Sequence, residues 1–138
     1  MAKYLLLKHY GYGPERMPNH TPMNEWTPEE IAAHIAFQHQ VVAELKERGE
    51  FVGAEGVGPD VTYVRYGGKD AAPVVTDGPY PEAGELVAGW FLVDVESRER
   101  AHEIAAFASS APAAKGEPLY EWIEVRQVLG PPPANDEL

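Results

Sequence analysis

The stretch VVTDGPYPEAGE, residues 74–85, places Asp77, Glu82 and Glu85 in one short connection between two apolar runs. An acid followed by Gly-Pro and an aromatic residue makes a tight turn. The Asp side chain accepts from backbone N–H groups two residues on, Gly78 permits positive φ, and Pro79 sets the φ that follows. That structural need alone accounts for Asp77, Gly78 and Pro79. The same placement leaves Asp77 at a strand end, where a carboxylate can orient a histidine for proton transfer. Glu82 and Glu85 would then close the rim of such a site, or serve only as a solvated surface.

The histidines are the partners such an acid would need. At 100° per residue, His34 shares a helical stripe with Ile31, Ile35, Gln38, Val42 and Leu45. Two polar residues one turn apart on a buried face, His34 and Gln38, must find hydrogen-bond partners there. Glu30 lies one turn before His34, and an i,i+4 pair would hold the ring and favour its charged form. His34 therefore reads either as a core histidine satisfied by a neighbouring carbonyl or as a cleft residue. His9 follows Leu5 and Leu7 at the end of an apolar strand and points into a core, an interface or a cleft. Glu55 is a further carboxylate, set among small residues. His20 and His102 read as surface. His34 and His39 are five apart, which does not put two ligands on one helix face, so no metal site is expected from them. The chain has no nucleophile elbow, phosphate loop or metal motif, and no cofactor is expected.

These side chains are held by a regular alternation of elements. KYLLLKHY is a strand in which Tyr4, Leu6 and Lys8 face one way and Leu5, Leu7 and His9 the other. Residues 11–26, dense in Gly, Pro and Asn, read as a long ordered loop. Thr27, Pro28 and Glu30 form a capping box with proline at the first helical position, and Gly49 is the expected stop. Ile31, Ile35, Val42 and Leu45 mark the buried face of that helix. FVGAEGV, VTYVRY and APVVT read as strands. LVAGWFLVDV is apolar on both faces and belongs in the middle of a sheet. Ser97 caps a second helix ending near Ser109, with Ala101, Ile104, Ala105 and Ala108 inward. LYEWIEVRQVL is the last strand.

The order β-α-β-β-(β)-β-α-β is an α+β, ferredoxin-like pattern with an extra hairpin: an antiparallel sheet with both helices on one face. Trp90, Phe91, Tyr120 and Trp122 argue that the other face is not wet, and a second copy of the sheet is the economical cover, so a homodimer is expected. The length, 138 residues, suits one domain over 1–130 followed by a flexible Pro-rich tail, 131–138.

The balance of 11 basic against 22 acidic residues, net charge −11, argues against nucleic acid and against anionic membrane surfaces. With no cysteine, disulfides, thiolate metal sites and thiol nucleophiles are excluded. The apolar run of MAKYLLLKHY is too short for a signal peptide or a membrane span, and a cytoplasmic protein is the default expectation.

VVTDGPYPEAGELVAGWFLVDV, with the opening KYLLL and the closing IEVRQV, resembles the DGPF subgroup of YCII-related proteins over roughly Lys3 to Val128. This chain carries Tyr80 where the family text has Phe, which keeps an aromatic ring in the pocket, and Gly84 where a Lys is common, which removes a cation. The resemblance implies a ferredoxin-like dimer, the dimeric α/β barrel, and a His–Asp pair in a cleft in some members. Its register on the first helix falls near Gln38, with His39 beside it and His34 one turn earlier. It also implies an association with extracytoplasmic-function sigma factors.

Two functions follow as expectations. One is a small enzyme without a cofactor, using His34 or His9 with Asp77 for proton transfer on a small ligand contacted by Gln38, Tyr80, Glu82 and Glu55. The other is a non-catalytic dimeric binding or regulatory module. They differ in whether a histidine and a carboxylate meet beside an apolar pocket.

Overall fold

The computed structural model describes residues 1–9, 21–76 and 87–134; Asp77, Tyr80, Glu82 and Glu85 lie outside the described residues. In chain order the elements are β1 (Ala2–His9), α1 (Pro28–Glu47), β2 (Phe51–Gly56), β3 (Tyr63–Arg65), β4 (Val74–Thr76), β5 (Val87–Val95), α2 (Arg98–Ser109) and β6 (Glu124–Gln127). The architecture is mixed α+β: an antiparallel four-stranded sheet in the order β2-β5-β1-β6, and a separate two-stranded sheet of β3 and β4.

α1 begins and ends where local chemistry dictates. Thr27 Oγ1 accepts the N–H of Glu30 at 3.1 Å, and Glu30 Oε1 accepts the N–H of Thr27 at 2.8 Å, so two otherwise orphaned donors are satisfied reciprocally. At the other end Gly49 has φ +70, its N–H bonds to Lys46 O, and Glu50 N–H bonds to Leu45 O at 2.9 Å. That pairing is a Schellman stop, and only a residue without Cβ takes the required φ at no cost. α2 is capped by Ser97, whose side chain accepts the N–H of Arg100, and buries Ala101, Ile104, Ala105 and Ala108 as the sequence predicts.

Both helices lie against the same face of the sheet. Tyr4 and Leu6 of β1, and Phe91, Val93 and Val95 of β5, form one buried cluster with Val41 and Leu45 of α1 and Ala101, Ile104 and Ala108 of α2. Full burial of each large aliphatic side chain there contributes about 1.5–3 kcal/mol. Phe91 thus belongs to the helix-covered core, not to the bare face where the sequence reading places it. The bare face carries Leu5 opposite Leu92 and Leu7 opposite Trp90. The Trp90 ring lies 3.4 Å from where a Cβ on Gly53 would stand. At Gly89 a Cβ would meet the Glu55 carbonyl oxygen at 2.9 Å, so the close approach of β2 to β5 requires glycine.

Two expectations change. Ile35 is 46% exposed. The buried stripe of α1 runs through His34, Val41 and Leu45, with Phe37 and Val42 partly buried on its flanks, one position round from the predicted one. The last strand is shorter than predicted. Residues 119–123 instead follow the end of α2, with Leu119 N–H on Ala111 O, Tyr120 N–H on Ser109 O, and Tyr120 at φ 56.

Candidate functional site

β1 is central in the sheet, and its last two residues are Lys8 and His9. Strand alternation sends Lys8 the way of Tyr4 and Leu6, toward the helices, and sends His9 the way of Leu5 and Leu7. β6 runs antiparallel beside it, with Leu6 opposite Val125 and Leu7 opposite Glu124. This register brings the carboxylates of YEWIE to the end of β1.

His9 Nε2 lies 3.0 Å from Glu124 Oε1, and the His9 side chain is only 5% exposed. A carboxylate only accepts, so Nε2 carries a proton in this contact. Arg126 Nη1 stands 3.8 Å from the other oxygen of Glu124. On the helix side of β1, Lys8 Nζ approaches Glu121 Oε1 at 3.4 Å, with the two side chains 14% and 8% exposed. That oxygen has no well-formed hydrogen bond among the described residues. Burial pushes the Glu121 carboxyl above the ordinary carboxylate value, against the pull of the nearby Lys8 and His9 charges. Perturbed carboxyls of this kind occur both at functional sites and in structural ion-pair networks.

His34 stands in a different setting. It is 4% exposed. Its Nδ1 donates to Pro112 O at 2.9 Å, and its Nε2 accepts from Gln38 Nε2 at 3.1 Å. The edge of Trp26 meets the ring at 5.3 Å between centroids. Burial pushes its pKa below the ordinary histidine value, with Lys8 adding to the effect and the Pro112 carbonyl opposing it. Burial favours the neutral ring, and the Pro112 carbonyl, which cannot donate, fixes the proton on Nδ1. The expected Glu30–His34 pair is not formed, and the ring is not biased toward charge. Glu30 spends one oxygen on its own helix cap and the other on the backbone N–H of Lys115, the two bonds that hold its carboxyl below the usual range.

The structure therefore joins His34 to Gln38 and His9 to Glu124, with no hydrogen bond between the two sets among the described residues. Glu55 is exposed on β2, opposite Trp90, and no contact joins it to either histidine. Asp77, Tyr80 and Glu82 lie outside the described residues. Sequence reasoning missed Lys8, Glu121 and Glu124. The available signal was a Lys-His pair closing an apolar strand and two acids flanking a tryptophan in the strand predicted last. What joins them is a pairing register that neither segment carries alone.

The same end of the sheet borders a broad concavity of about 540 Å³. Val57, Val61, Thr62, Tyr63, Asp60 and Val87 line it, and Val87 is the cross-strand partner of His9. Among the described residues no cluster of three or more His, Asp or Glu side chains could hold a metal ion, and no helix is long and apolar enough to cross a membrane.

Residues 4–128 match the family model of the YCII-related domain. No curated protein matches the chain.

Proposed function

This chain belongs to the YCII-related domain family, and we propose that within it the protein is a cofactor-independent enzyme that moves a proton on a small organic substrate. We assign its text VVTDGPYPEAGE to the DGPF subgroup. The observation that carries the proposal is the His9–Glu124 contact of 3.0 Å at a ring only 5% exposed. A carboxylate that accepts from Nε2–H orients the ring, and a histidine oriented in this way is the group we assign the proton transfer to. Asp77 of the turn is a second candidate carboxylate for the same site.

In this reading His34 is a positioning residue. It ties α1 to Pro112, in the segment that follows α2, and accepts from Gln38 on the same helix.

The protein also works as a ferredoxin-like homodimer in this proposal. The half-buried Leu5, Leu7, Trp90 and Leu92 make an apolar sheet face that the chain's own helices do not cover, and a second copy would bury well over about 1,000 Å² there. Sedimentation equilibrium giving a monomer mass at micromolar concentration rejects the dimer.

The test of the chemistry is exchange of acidic C–H protons for deuterium in a panel of small carbonyl compounds, followed by NMR in D₂O. The wild-type protein is expected to accelerate exchange in at least one compound. His9→Gln is expected to lose on the order of 10²–10⁴-fold of that rate, and Glu124→Gln a smaller part. Binding without exchange by the wild type, or a His9→Gln variant as fast as wild type, rejects the enzyme; the first result is the outcome a non-catalytic ligand-binding or regulatory module gives.

A further inference from the structure

The concavity beside Val87 has a composition that selects its ligand. Three of its walls are aliphatic: Val57, Val61 and Val87. Thr62 adds a hydroxyl, and Tyr63 adds a ring that is 46% exposed. Asp60 is the one acidic side chain among the described residues of the lining. It is exposed, and no hydrogen bond or ion pair engages its carboxylate among the described residues. Its volume of about 540 Å³ is in the range of small-molecule sites.

We propose that this concavity binds a small organic ammonium ion, an amine carrying an apolar or aromatic substituent. Two independent features favour a cation. A carboxylate pairs with an ammonium group directly, and the electron-rich face of a tyrosine attracts the same charge, the more so when the substituent displaces water from the site. The whole chain adds a third influence. With net charge −11, its field draws small cations toward the surface and repels carboxylates and phosphates. The valines accept the substituent. An anion of the same shape would meet Asp60, with no lysine, arginine or histidine among the described lining residues to offset it.

The proposal names the substrate class of the His9 site, and in that respect rests on the proton-transfer reading; the binding itself does not. Val87 belongs to both, as a wall of the concavity and as the strand partner of His9. A substrate anchored by its ammonium at Asp60 would have its substituent directed along β5 toward that residue.

Amide NMR titrations with benzylammonium, benzyl alcohol and benzoate, at constant ionic strength and neutral pH, test the assignment. These ligands share a ring and differ in charge. Benzylammonium is expected to shift the amides of Val57, Val61 and Val87 and to bind about tenfold more tightly than benzyl alcohol, with benzoate weakest. Asp60→Asn is expected to remove most of that tenfold preference, and Tyr63→Leu to weaken benzylammonium several-fold more than benzyl alcohol. Both positions are exposed, so the variants keep the fold, which their unperturbed amide spectra confirm. Benzoate binding as well as benzylammonium, an undiminished preference in Asp60→Asn, or shifts confined to other amides each overturn the proposal. His9→Gln separates the two readings. Retained benzylammonium binding with wild-type exchange rates rejects His9 as the base and leaves the ammonium site standing. Lost preference at Asp60 with exchange still dependent on His9 does the reverse.

Discussion

Glu50 and Glu121 each bring a carboxylate against a cation in the same protein, at opposite ends of one sheet. Glu50 sits just before β2, where its carbonyl accepts the N–H of Asp94 near the end of β5. Its side chain takes Arg100 Nε and Nη2 at 2.9 Å each, and Arg48 Nε at 3.2 Å. The bidentate guanidinium is the main reason its carboxyl lies below the ordinary value, and Arg100 is raised in return, first of all by the same hydrogen bonds. Glu121, at the β1 C-terminal end, faces the point charge of Lys8 at 3.4 Å, with a weaker pull from His9. Burial wins there, and its carboxyl is raised.

The difference is one of donor geometry as much as of burial. A planar fork satisfies both oxygens and outweighs the cost of leaving water, whereas an ammonium at a long distance does not. The first arrangement clamps α1, β2 and α2 together. The second leaves a carboxyl that burial holds above the ordinary value, a perturbation of the kind found at functional sites.

The sharpest way to break this contrast is to remove each carboxylate in turn. Glu50→Ala strands Arg100, whose side chain is 16% exposed, and is expected to destabilise the protein by about 3 kcal/mol in urea unfolding. A loss below about 1 kcal/mol would mean that the Arg48–Glu50–Arg100 cluster is not a clamp. Arg100→Lys keeps the charge and loses the fork. It should cost about 1–1.5 kcal/mol, and a neutral result would show that charge alone suffices.

Acid should act on the two ends with opposite signs. Glu50 is lowered from 4.5, so its contribution is present above that value and disappears as pH falls through the depressed pKa. The stability gap between wild type and Glu50→Gln is expected to close on acidification. Glu121 is raised from 4.5, so its contribution is present below that value and disappears as pH rises through the elevated pKa. The gap between wild type and Glu121→Gln should shift in favour of the glutamine as pH rises. Denaturation series at several pH values read both signs at once, and parallel curves for the two variants would remove the contrast. His34 adds a third dependence. Its pKa is lowered from 6.5, so the stability it contributes is present above 6.5 and lost as pH falls; His34→Gln should flatten that part of the profile.

The smallest expected effect belongs to Glu121→Gln at neutral pH. It loses Lys8's partner but removes a buried charge, and these nearly cancel to within about 1 kcal/mol. A loss as large as that of Glu50→Ala would make Glu121 a second clamp.

The amino-acid sequence by itself determined what depends on residues a few positions apart. The Thr27–Glu30 capping box, the Gly49 stop, the inward face of α2 and the two apolar faces of β5 all follow from chemistry within a turn or along a single strand. It also carried the charge balance behind the ligand class proposed for the Asp60 concavity. It could not determine what a carboxylate meets across the fold. Glu30 looked like the partner of His34 because both lie on one helix, and only the approach of the 112–115 segment showed that Pro112 takes the ring and the Lys115 backbone takes the acid. His9 and Glu124 are 115 positions apart, and their meeting rests on the register of β6 against β1. A shift of one residue in that register would turn Glu124 to the other face. Hydrophobic periodicity says which face of a strand is buried; the pairing that brings His9 to Glu124 and Lys8 to Glu121 is decided by packing of the whole sheet under its helices.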